Sequence, residues 1–429
     1  MAAPAFKRDA AGALLAAWPA PRGEAAWAEA ARARAAARLS ERGAPGRRDE
    51  YWRFTDPTAL IAVPAPAAVP RPADETLFAE ADRVRLVFVD GVFDPAQSDA
   101  PEIAGVEIQP LSEALSRDIH WSRDLFGVLE GRGQDPVDRP LATLNTARAA
   151  QGFVIRVTGQ AARALHLVYL HRSDASDAMV RHLVKLEPGA DFTLLETGPA
   201  AARFNAVTEV EVADGAAFHH VRFQGADEER RTATALFARL GRESRFKSFT
   251  LTVNGRLTRN EAMVELTGDD AIAHVAGACV GQADFHHDDT VFVTHGAERC
   301  ESRQVFKKVL KDGATGVFQG KILVKPGAQK TDGYQISQAL LLDEDSTFLA
   351  KPELEIYADD VKCSHGSTCG AVDPTSLFYL TSRGIPRSEA EGLLMLAFLD
   401  EPIAEIEDEA LADAVRARLA AWVAKRRKA

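Results

Sequence analysis

The central part of the chain is a succession of short apolar segments separated by turn residues. Beyond Gly152, runs of five or six residues such as FVIRV, LHLVYL, FTLTV and KILV follow one another between Gly, Asp and Asn. Apolar runs of this length, bounded by turn residues, are typical of buried strands, and helical periodicity is scarce here. The pattern therefore predicts β structure from Gly152 to the neighbourhood of Asp360.

Glycines recur in this region at a nearly constant interval. Successive short turns contain Gly189, Gly215, Gly241, Gly268 and Gly296, which are 26, 26, 27 and 28 residues apart. A fixed interval of short strands indicates a solenoid, in which stacked coils build one continuous core. We therefore expect a β-helix. A large β-sandwich or a double-stranded barrel is the alternative, since either would show the same alternation without the interval.

The first 150 residues have a mixed pattern. Ala, Glu and Arg dominate Glu24 to Leu39 and predict a helix, and a further helical stretch is expected near Ser112 to Glu130. Between them, the proline-rich segment IAVPAPAAVPRP (61–72) predicts an extended spacer. RVRLVFVDGVFDP predicts a hairpin whose turn is Asp90-Gly91.

The C-terminal sixty or so residues have a helical apolar period. Ser388 and Glu391 have the spacing of a capping box at the start of one helix, and a second helix is expected from about Glu405 to Lys425. We therefore divide the chain into a mostly helical region with a proline-rich spacer (1–150), a β core (151–367) and a C-terminal helical domain (368–429).

Composition and charge narrow the function classes. The 429 residues are 46% hydrophobic and 26% charged, a composition typical of globular proteins. The formal net charge of −11 argues against nucleic acid or anionic lipid as partners. Four widely spaced cysteines suit a reduced, cytoplasmic protein better than a disulfide framework. The apolar stretch from Ala11 to Trp18 is expected to be an ordinary helix, and no run reaches the roughly 18 apolar residues of a membrane span.

Several catalytic signatures are missing from the sequence. Gly316 to Ile322 is one residue short of a phosphate-binding loop and ends in Ile where a hydroxyl is needed. Neither H-E-x-x-H nor G-x-S-x-G occurs. We therefore expect that the chain itself hydrolyses no nucleotide.

One cluster of candidate metal ligands lies at FHHDD and just beyond it. If these residues span adjacent strands, His287, Asp289 and His295 would converge on a metal, with His286 and Cys300 nearby, as in a metal-dependent β-fold enzyme. Along a single strand, however, His286 and His287 point to opposite faces, and such residues are more often buried and hydrogen-bonded. The second interpretation is favoured.

A second candidate site lies in DDVKCSHGSTCG. On a strand, Cys363 and His365 share one face while Ser364 points the other way, so a thiol and an imidazole are presented together to a soft metal or to sulfur. A protonated His365 would lower the pKa of Cys363 and favour the thiolate. The structural alternative is a cysteine that simply packs and a histidine that is simply hydrogen-bonded.

A longer series of motifs gives the sequence a family resemblance. GVFQGKI (316–322), GAQKTD (327–332), KPELEIYADDVKCSHG (351–366) and FYLTSRGI (378–385) occur in this order, with weaker matches at LNTA (144–147) and EYWRF (50–54). Together they resemble the SufB/SufD family of iron-sulfur cluster assembly proteins. The Cys363-to-Gly366 form is closer to the SufD branch than to the longer SufB chains, which have His-Glu-Ala at this point; a SufB-like paralogue is the alternative. Cys369 departs from the pattern, which has a small apolar residue there.

The resemblance implies a fold and a role. The family fold is a right-handed parallel β-helix between N-terminal and C-terminal helical regions. Its SufD branch implies a non-catalytic scaffold that pairs with SufB through the β-helix ends and holds the SufC ATPase, which hydrolyses the ATP, on its C-terminal helices. A transient iron-sulfur cluster would assemble at the SufB interface on His365, with Cys363 beside it, and the chain alone would bind no tight cofactor. An unpaired β edge also allows a homodimer of the isolated chain.

Overall fold

The computed structural model describes residues 3–71, 77–135, 137–198, 200–225 and 227–426. Its helices are α1 (Ala5–Ala17), α2 (Ala26–Arg42), α3 (Thr58–Ile61), α4 (Leu111–Leu115), α5 (Val128–Arg132), α6 (Pro140–Arg148), α7 (Pro374–Thr381), α8 (Arg387–Ile403) and α9 (Glu409–Arg426). Its strands are β1 (Arg83–Val89), β2 (Val92–Phe93), β3 (Val106–Pro110), β4 (Phe153–Val157), β5 (Ala164–Leu170), β6 (Asp177–Leu186), β7 (Asp191–Thr197), β8 (Arg203–Val212), β9 (Ala217–Gln224), β10 (Arg231–Leu240), β11 (Arg245–Val253), β12 (Leu257–Leu266), β13 (Ile272–Gln282), β14 (His286–His295), β15 (Glu301–Lys311), β16 (Thr315–Val324), β17 (Asp332–Leu341), β18 (Thr347–Ile356) and β19 (Lys362–Gly370).

The strands form two facing sheets that are wound from one chain. The first sheet has ten strands in the order β19-β17-β15-β13-β11-β9-β7-β5-β1-β2, and the second has nine in the order β18-β16-β14-β12-β10-β8-β6-β4-β3. From β4 to β19, alternate strands go to alternate sheets and pair in parallel with the strand of the next coil. This is a parallel β-solenoid, which confirms the predicted architecture and excludes the sandwich and the barrel.

The periodic glycines mark one corner of this solenoid. Each of the five follows a strand of the nine-stranded sheet, at the turn toward the ten-stranded sheet. Successive corners are hydrogen-bonded: the Gly215 N–H donates to the Arg242 carbonyl of the next coil, and the Gly241 N–H donates to the Val212 carbonyl of the preceding one. The interval read from the sequence is therefore the length of one coil.

Stacked apolar side chains fill the space between the sheets. Phe192, Phe218 and Phe246 occupy paired positions on three successive coils, with ring centroids 6.3 and 5.6 Å apart. Because side chains alternate along each strand, every second residue contributes to this interior and the others face outward. The result is one long core that is shared by all coils.

Helices cover the outer faces of both sheets. Helices α2 and α6 pack on the nine-stranded sheet, where Phe126 and Leu129 join Phe237 and Phe292 in a buried cluster. Helices α8 and α9 pack on the ten-stranded sheet through an apolar face. None of the helices in the described ranges is long and apolar enough to cross a bilayer.

Some local predictions need correction. Ser388 does not cap a helix, because α8 begins at Arg387 after Pro386 and has no side-chain cap. The single helix expected from Ser112 to Glu130 is instead α4, a short 3₁₀ turn and the start of α5. Helix α4 ends at its C-cap Ser116, and Gly127, which is in the left-handed region, precedes α5.

The other N-terminal predictions are confirmed, except that Ile61, the first residue of the predicted extended spacer, is the last residue of α3. Asp90 and Gly91 form the two-residue turn between β1 and β2. The spacer has no helix from residue 62 to 71 and runs along the solenoid, where the Ala68 N–H donates to the Asp174 carbonyl. Pro72, at the end of the predicted spacer, lies outside the described residues.

Candidate functional site

The last coil of the solenoid is its least covered part. Strands β18 and β19 end the two sheets, and each pairs with only one strand in the described chain. Residues of β19 are mostly exposed, whereas the same positions on earlier strands are buried. The C-terminal end of the solenoid therefore offers free backbone groups and side chains that other coils enclose.

Cys363, His365 and Ser367 share the inward face of β19. They pair with Gly333, Gln335 and Ser337, which are buried on β17, and the Ser337 and Ser367 hydroxyl oxygens are 2.6 Å apart. Positions two apart on a strand are separated by about 7 Å, so the thiol and the imidazole lie side by side at the open end. The alternation thus places both candidate groups on one face.

The Cys363 thiol lies in a small apolar cluster. It is half-buried against Leu354 and Val361, beside the buried Ile322 and Ala358. Burial raises the pKa of Cys363, the Asp332 carboxylate raises it further, and the Gly333 N–H opposes them. In this chain the thiol therefore favours its protonated form, whereas the sequence predicted a pKa lowered by His365.

His365 is exposed at the end of a buried row of glutamines. Its paired neighbour Gln335 pairs in turn with Gln304, and the Gln335 side-chain Nε2 donates to the Gln304 side-chain Oε1 over 2.8 Å. Both glutamines are fully buried. The His365 imidazole is thus the solvent-exposed end of a polar row whose other members, Gln304 and Gln335, are buried inside the solenoid.

Cys369 lies on the same strand but elsewhere on the surface. It is exposed and lines a groove of about 340 Å³ together with Asp373, Ser376 and residues of α8. Six residues of extended strand place it about 20 Å from Cys363. The two cysteines therefore do not meet at one site.

The candidate ligands around FHHDD do not form a metal site. All of these histidines lie on one strand, β14, and His286 points outward to the Thr55 hydroxyl over 2.9 Å. The inward His287 accepts from the Lys308 ammonium over 2.8 Å, and Lys308 also donates to Asp289.

His295 lies too far along this strand to join the others. Eight residues of strand separate it from His287 by about 26 Å, and it bonds Ser302 instead. Cys300 is buried in the following turn. No cluster of three candidate ligands occurs among the residues that the structure describes, so the expected convergence of His287, Asp289 and His295 on a metal is not found there.

The last coil also contacts the N-terminal region, and this contact was not predicted from the sequence. The EYWRF segment (50–54) crosses the outer face of β18, where the Tyr51 hydroxyl contacts Glu353 and Lys351 pairs with Glu50 over 2.6 Å. The Lys351 ammonium also lies 3.9 Å from the Tyr51 ring centroid. Charges at alternate positions of KPELEIY were the available signal, since they predict an outward polar row on a strand. This contact anchors the end of the solenoid to the N-terminal region.

The C-terminal helices carry a second exposed surface. Phe378 and Tyr379 on α7 are 72% and 56% exposed, and Leu393 on α8 is also exposed. A groove of about 790 Å³ runs between α7, α8 and the last coils and is lined by Leu377, Phe378, Met395 and Trp422. Clustered exposed aromatic and aliphatic side chains are typical of protein-protein contact surfaces.

Comparison with known proteins agrees with this architecture. The model of the SUF system FeS cluster assembly, SufBD core domain matches residues 169–398. The chain is 30% identical over 396 residues to the iron-sulfur cluster assembly protein SufD of Escherichia coli, covering 89% of this chain and 90% of that one. It is 29% identical to an iron-sulfur cluster assembly SufBD family protein of Synechocystis, covering 84% of each. A Bacillus subtilis SufD matches at 30% identity over 56% of this chain and 57% of its own length.

Proposed function

Because this chain belongs to the SufBD family of SUF-system iron-sulfur cluster assembly proteins, we propose that it is a non-catalytic, SufD-type scaffold subunit. In this role it pairs with a SufB-type subunit at the end of the solenoid, and the cluster assembles between them. The observation that carries the proposal is the position of His365 and Cys363 on the inward face of the last, uncovered strand.

The chemistry of this face suits a shared cluster. Thiolate and imidazole are both ligands of iron-sulfur clusters, which usually take four protein donors. Cys363 and His365 supply two donors on one face, and Cys369 is too far along the strand to add a third. A second subunit must therefore complete the set, and the chain alone would hold a cluster poorly. The cluster is the cargo of the assembly and not a resident cofactor.

Pairing through the last coil also follows from its backbone. Edge strands have unpaired N–H and C=O groups that accept another strand, and β18 and β19 are both edges. Addition of the partner's strands would cover Cys363 and His365. Exclusion of water there would protect a cluster that is being built.

In this proposal, ATP is hydrolysed by a separate subunit and not by this chain. Gly316–Ile322, the segment nearest to a phosphate-binding motif, lies inside β16, so its backbone N–H groups are in the sheet ladder. We assign the SufC ATPase to the surface formed by α7 and α8. Its exposed Phe378, Tyr379 and Leu393 support that assignment.

The test compares two substitutions on the same strand in the co-expressed complex. His365→Ala is expected to leave the fold and the recovery of partners unchanged and to lower cluster yield at least about tenfold, since one ligand interaction is lost. Ser364→Ala, on the opposite face of β19, is the matched control and is expected to keep the full yield. Iron, acid-labile sulfide and the visible absorption of the cluster are measured on complexes of equal stoichiometry. Equal cluster yield in the two variants would exclude His365 from the site.

A further inference from the structure

One corner of the solenoid interior is lined by polar and charged side chains. Where strands of the ten-stranded sheet turn into strands of the nine-stranded sheet, the inward residues are charged or polar instead of aliphatic. They include Glu196, Arg222, Gln224, Arg230, Thr232, Thr234, Thr252, Thr258, His287, Asp289 and Lys308. Burial of such groups is costly unless each is paired. A buried group without a partner within the chain therefore indicates which kind of ligand this corner can bind.

Two of the three buried cations in this corner have carboxylate partners. Arg222 donates to Glu196 over 2.9 Å, and Lys308 pairs with Asp289. Arg230 is the exception, although it is only 1% exposed. The Asp227 carboxylate acts on the Arg230 charge, but its oxygens accept from the backbone N–H groups of residues 229 and 230 and bond His171.

The Arg230 guanidinium uses only one of its donor groups. Its Nη2 donates to the Asn254 carbonyl over 2.8 Å. Its Nε and Nη1 are buried and have no hydrogen-bond partner within the described chain, and the same is true of the hydroxyls of Thr232 and Thr258. Thr232 lies two residues beyond Arg230, at the start of β10. A Cβ at Gly255 would lie 2.8 Å from Arg230 Nη2 and 3.3 Å from Thr258 Oγ1, so both groups border this glycine.

A cavity lies beside these donors. It has a volume of about 20 Å³, and its walls include Arg230, Thr232 and Thr234 on one side and Glu196 with Arg222 on the other. A space of this size holds a single water molecule or a monatomic ion. The carboxylate in the wall is neutralised by Arg222, so the Arg230 charge sets the net positive sign of the cavity.

From this geometry we propose that the cavity beside Arg230 binds one monovalent anion of halide size. The Arg230 N–H groups and the Thr232 hydroxyl supply donors, and the anion neutralises the unpaired guanidinium. Burial lowers the pKa of Arg230 in the protein without such a partner, which agrees with an uncompensated cation. The bound anion would link the end of β9 to the start of β10 inside the solenoid, independently of the cluster surface.

Bromide is the probe for this site. Crystals of the full-length chain grown in sodium bromide are measured at the bromine absorption edge, and we expect one anomalous peak inside the solenoid, within hydrogen-bond distance of Arg230 and Thr232. The thermal midpoint of the protein in solution is expected to rise with bromide relative to gluconate at equal ionic strength. Loss of one donor to an anion weakens binding by about tenfold, so Thr232→Val should shift this dependence to about tenfold higher bromide.

The controls separate an anion from buried water and from a general salt effect. Thr208→Val replaces another buried, inward threonine, on β8, and is expected to keep the wild-type bromide dependence. Arg230→Met is expected to abolish the peak, and Thr232→Val decides the question if that variant does not fold. Absence of an anomalous peak in the wild-type cavity would overturn the proposal, as would equal bromide dependence in Thr232→Val and wild type.

Discussion

At the residue scale, the four cysteines are all free thiols but differ in solvent exposure. Cys279 and Cys300 are buried, Cys363 is half-buried and Cys369 is exposed. Burial raises the pKa of Cys279 to about 12 and also raises the pKa of Cys363. Since the thiolate is the reactive form, a raised pKa slows reaction at neutral pH. The isolated chain therefore keeps the Cys363 thiol protonated and slow to react at neutral pH.

Alkylation of the native isolated chain should follow this order. Iodoacetamide at neutral pH is expected to label Cys369 first and Cys363 several-fold more slowly, because burial of Cys363 limits access to its sulfur and raises its pKa. Cys279 is expected to react only after denaturation. Peptide mass spectrometry over a time course gives the rates. Labelling of Cys363 ahead of Cys369 would contradict the burial that the structure gives to this thiol.

The sequence predicted part of the site and not its environment. Alternation along a strand was enough to place Cys363 and His365 on one face. The alternation along β19 could not predict the apolar cluster around Cys363, because Ile322 and Ala358 come from another strand and a turn. For the same reason, the conversion of His287 and Asp289 into partners of Lys308 was not predictable, since those residues meet only across the two sheets.

At the element scale, the coil corner and the helix docking surface decide stability. The constant glycine interval was sufficient to predict the solenoid, because one coil has one length. The helix boundaries were less predictable: Ser388 and Glu391 match a capping pattern, yet Pro386 starts α8 two residues earlier. A local signature was overridden there by a neighbouring proline.

The corner glycines should differ in their tolerance of substitution. A Cβ at Gly268 would lie 2.1 Å from the Arg242 nitrogen on the adjacent coil, so Gly268→Ala is expected to lower the free energy of unfolding by about 1–3 kcal/mol. Gly189 has open space around it and a φ of +72°, which Asn tolerates, so Gly189→Asn is expected to change stability by less than about 1 kcal/mol. Urea unfolding of both variants measures this difference. A Gly268→Ala chain as stable as Gly189→Asn would contradict the close stacking of the corners.

Docking of the C-terminal helices should depend on pH. Glu405, in the connection from α8 to α9, is 2.7 Å from His274 on β13, and this hydrogen bond holds the pKa of Glu405 below its ordinary value of 4.5. Lys247 and Arg303 lower it further, and Glu301 faces the same histidine. A lowered pKa contributes stability that is present above the ordinary value and is lost as the pH falls through the folded one. The docked helices should therefore loosen below about pH 4.5.

Hydrogen exchange in α9 between pH 7 and pH 4 measures this loosening after correction for the intrinsic rate. Glu405→Gln is expected to exchange faster than wild type at pH 7 and to lose most of the pH dependence. An unchanged pH dependence in Glu405→Gln would show that another group controls the docking of these helices.

At the scale of the whole molecule, the two ends of the solenoid differ: the short antiparallel strands β2 and β3 end the sheets at one end, and the long parallel strands β18 and β19 end them at the other. The N-terminal region covers the outer face of the nine-stranded sheet, and β2 and β3 end the two sheets near its start. At the C-terminal end, β18 and β19 have no further strand in the described chain, and Cys363 and His365 lie there. This asymmetry is what makes the last coil, and not a side of the solenoid, the surface on which a cluster is proposed to form.

Hydrogen exchange of the chain alone and in its native complex, isolated from its own cells without oxygen, tests this central claim most directly. We expect a SufB-type chain and an ABC-type ATPase to be recovered with it. Backbone N–H groups of β18 and β19 should become strongly protected in the complex, with further protection confined to α7 and α8. Recovery of the chain without these partners, or a complex that protects the N-terminal helices and leaves β19 as exposed as in the free chain, would contradict the account.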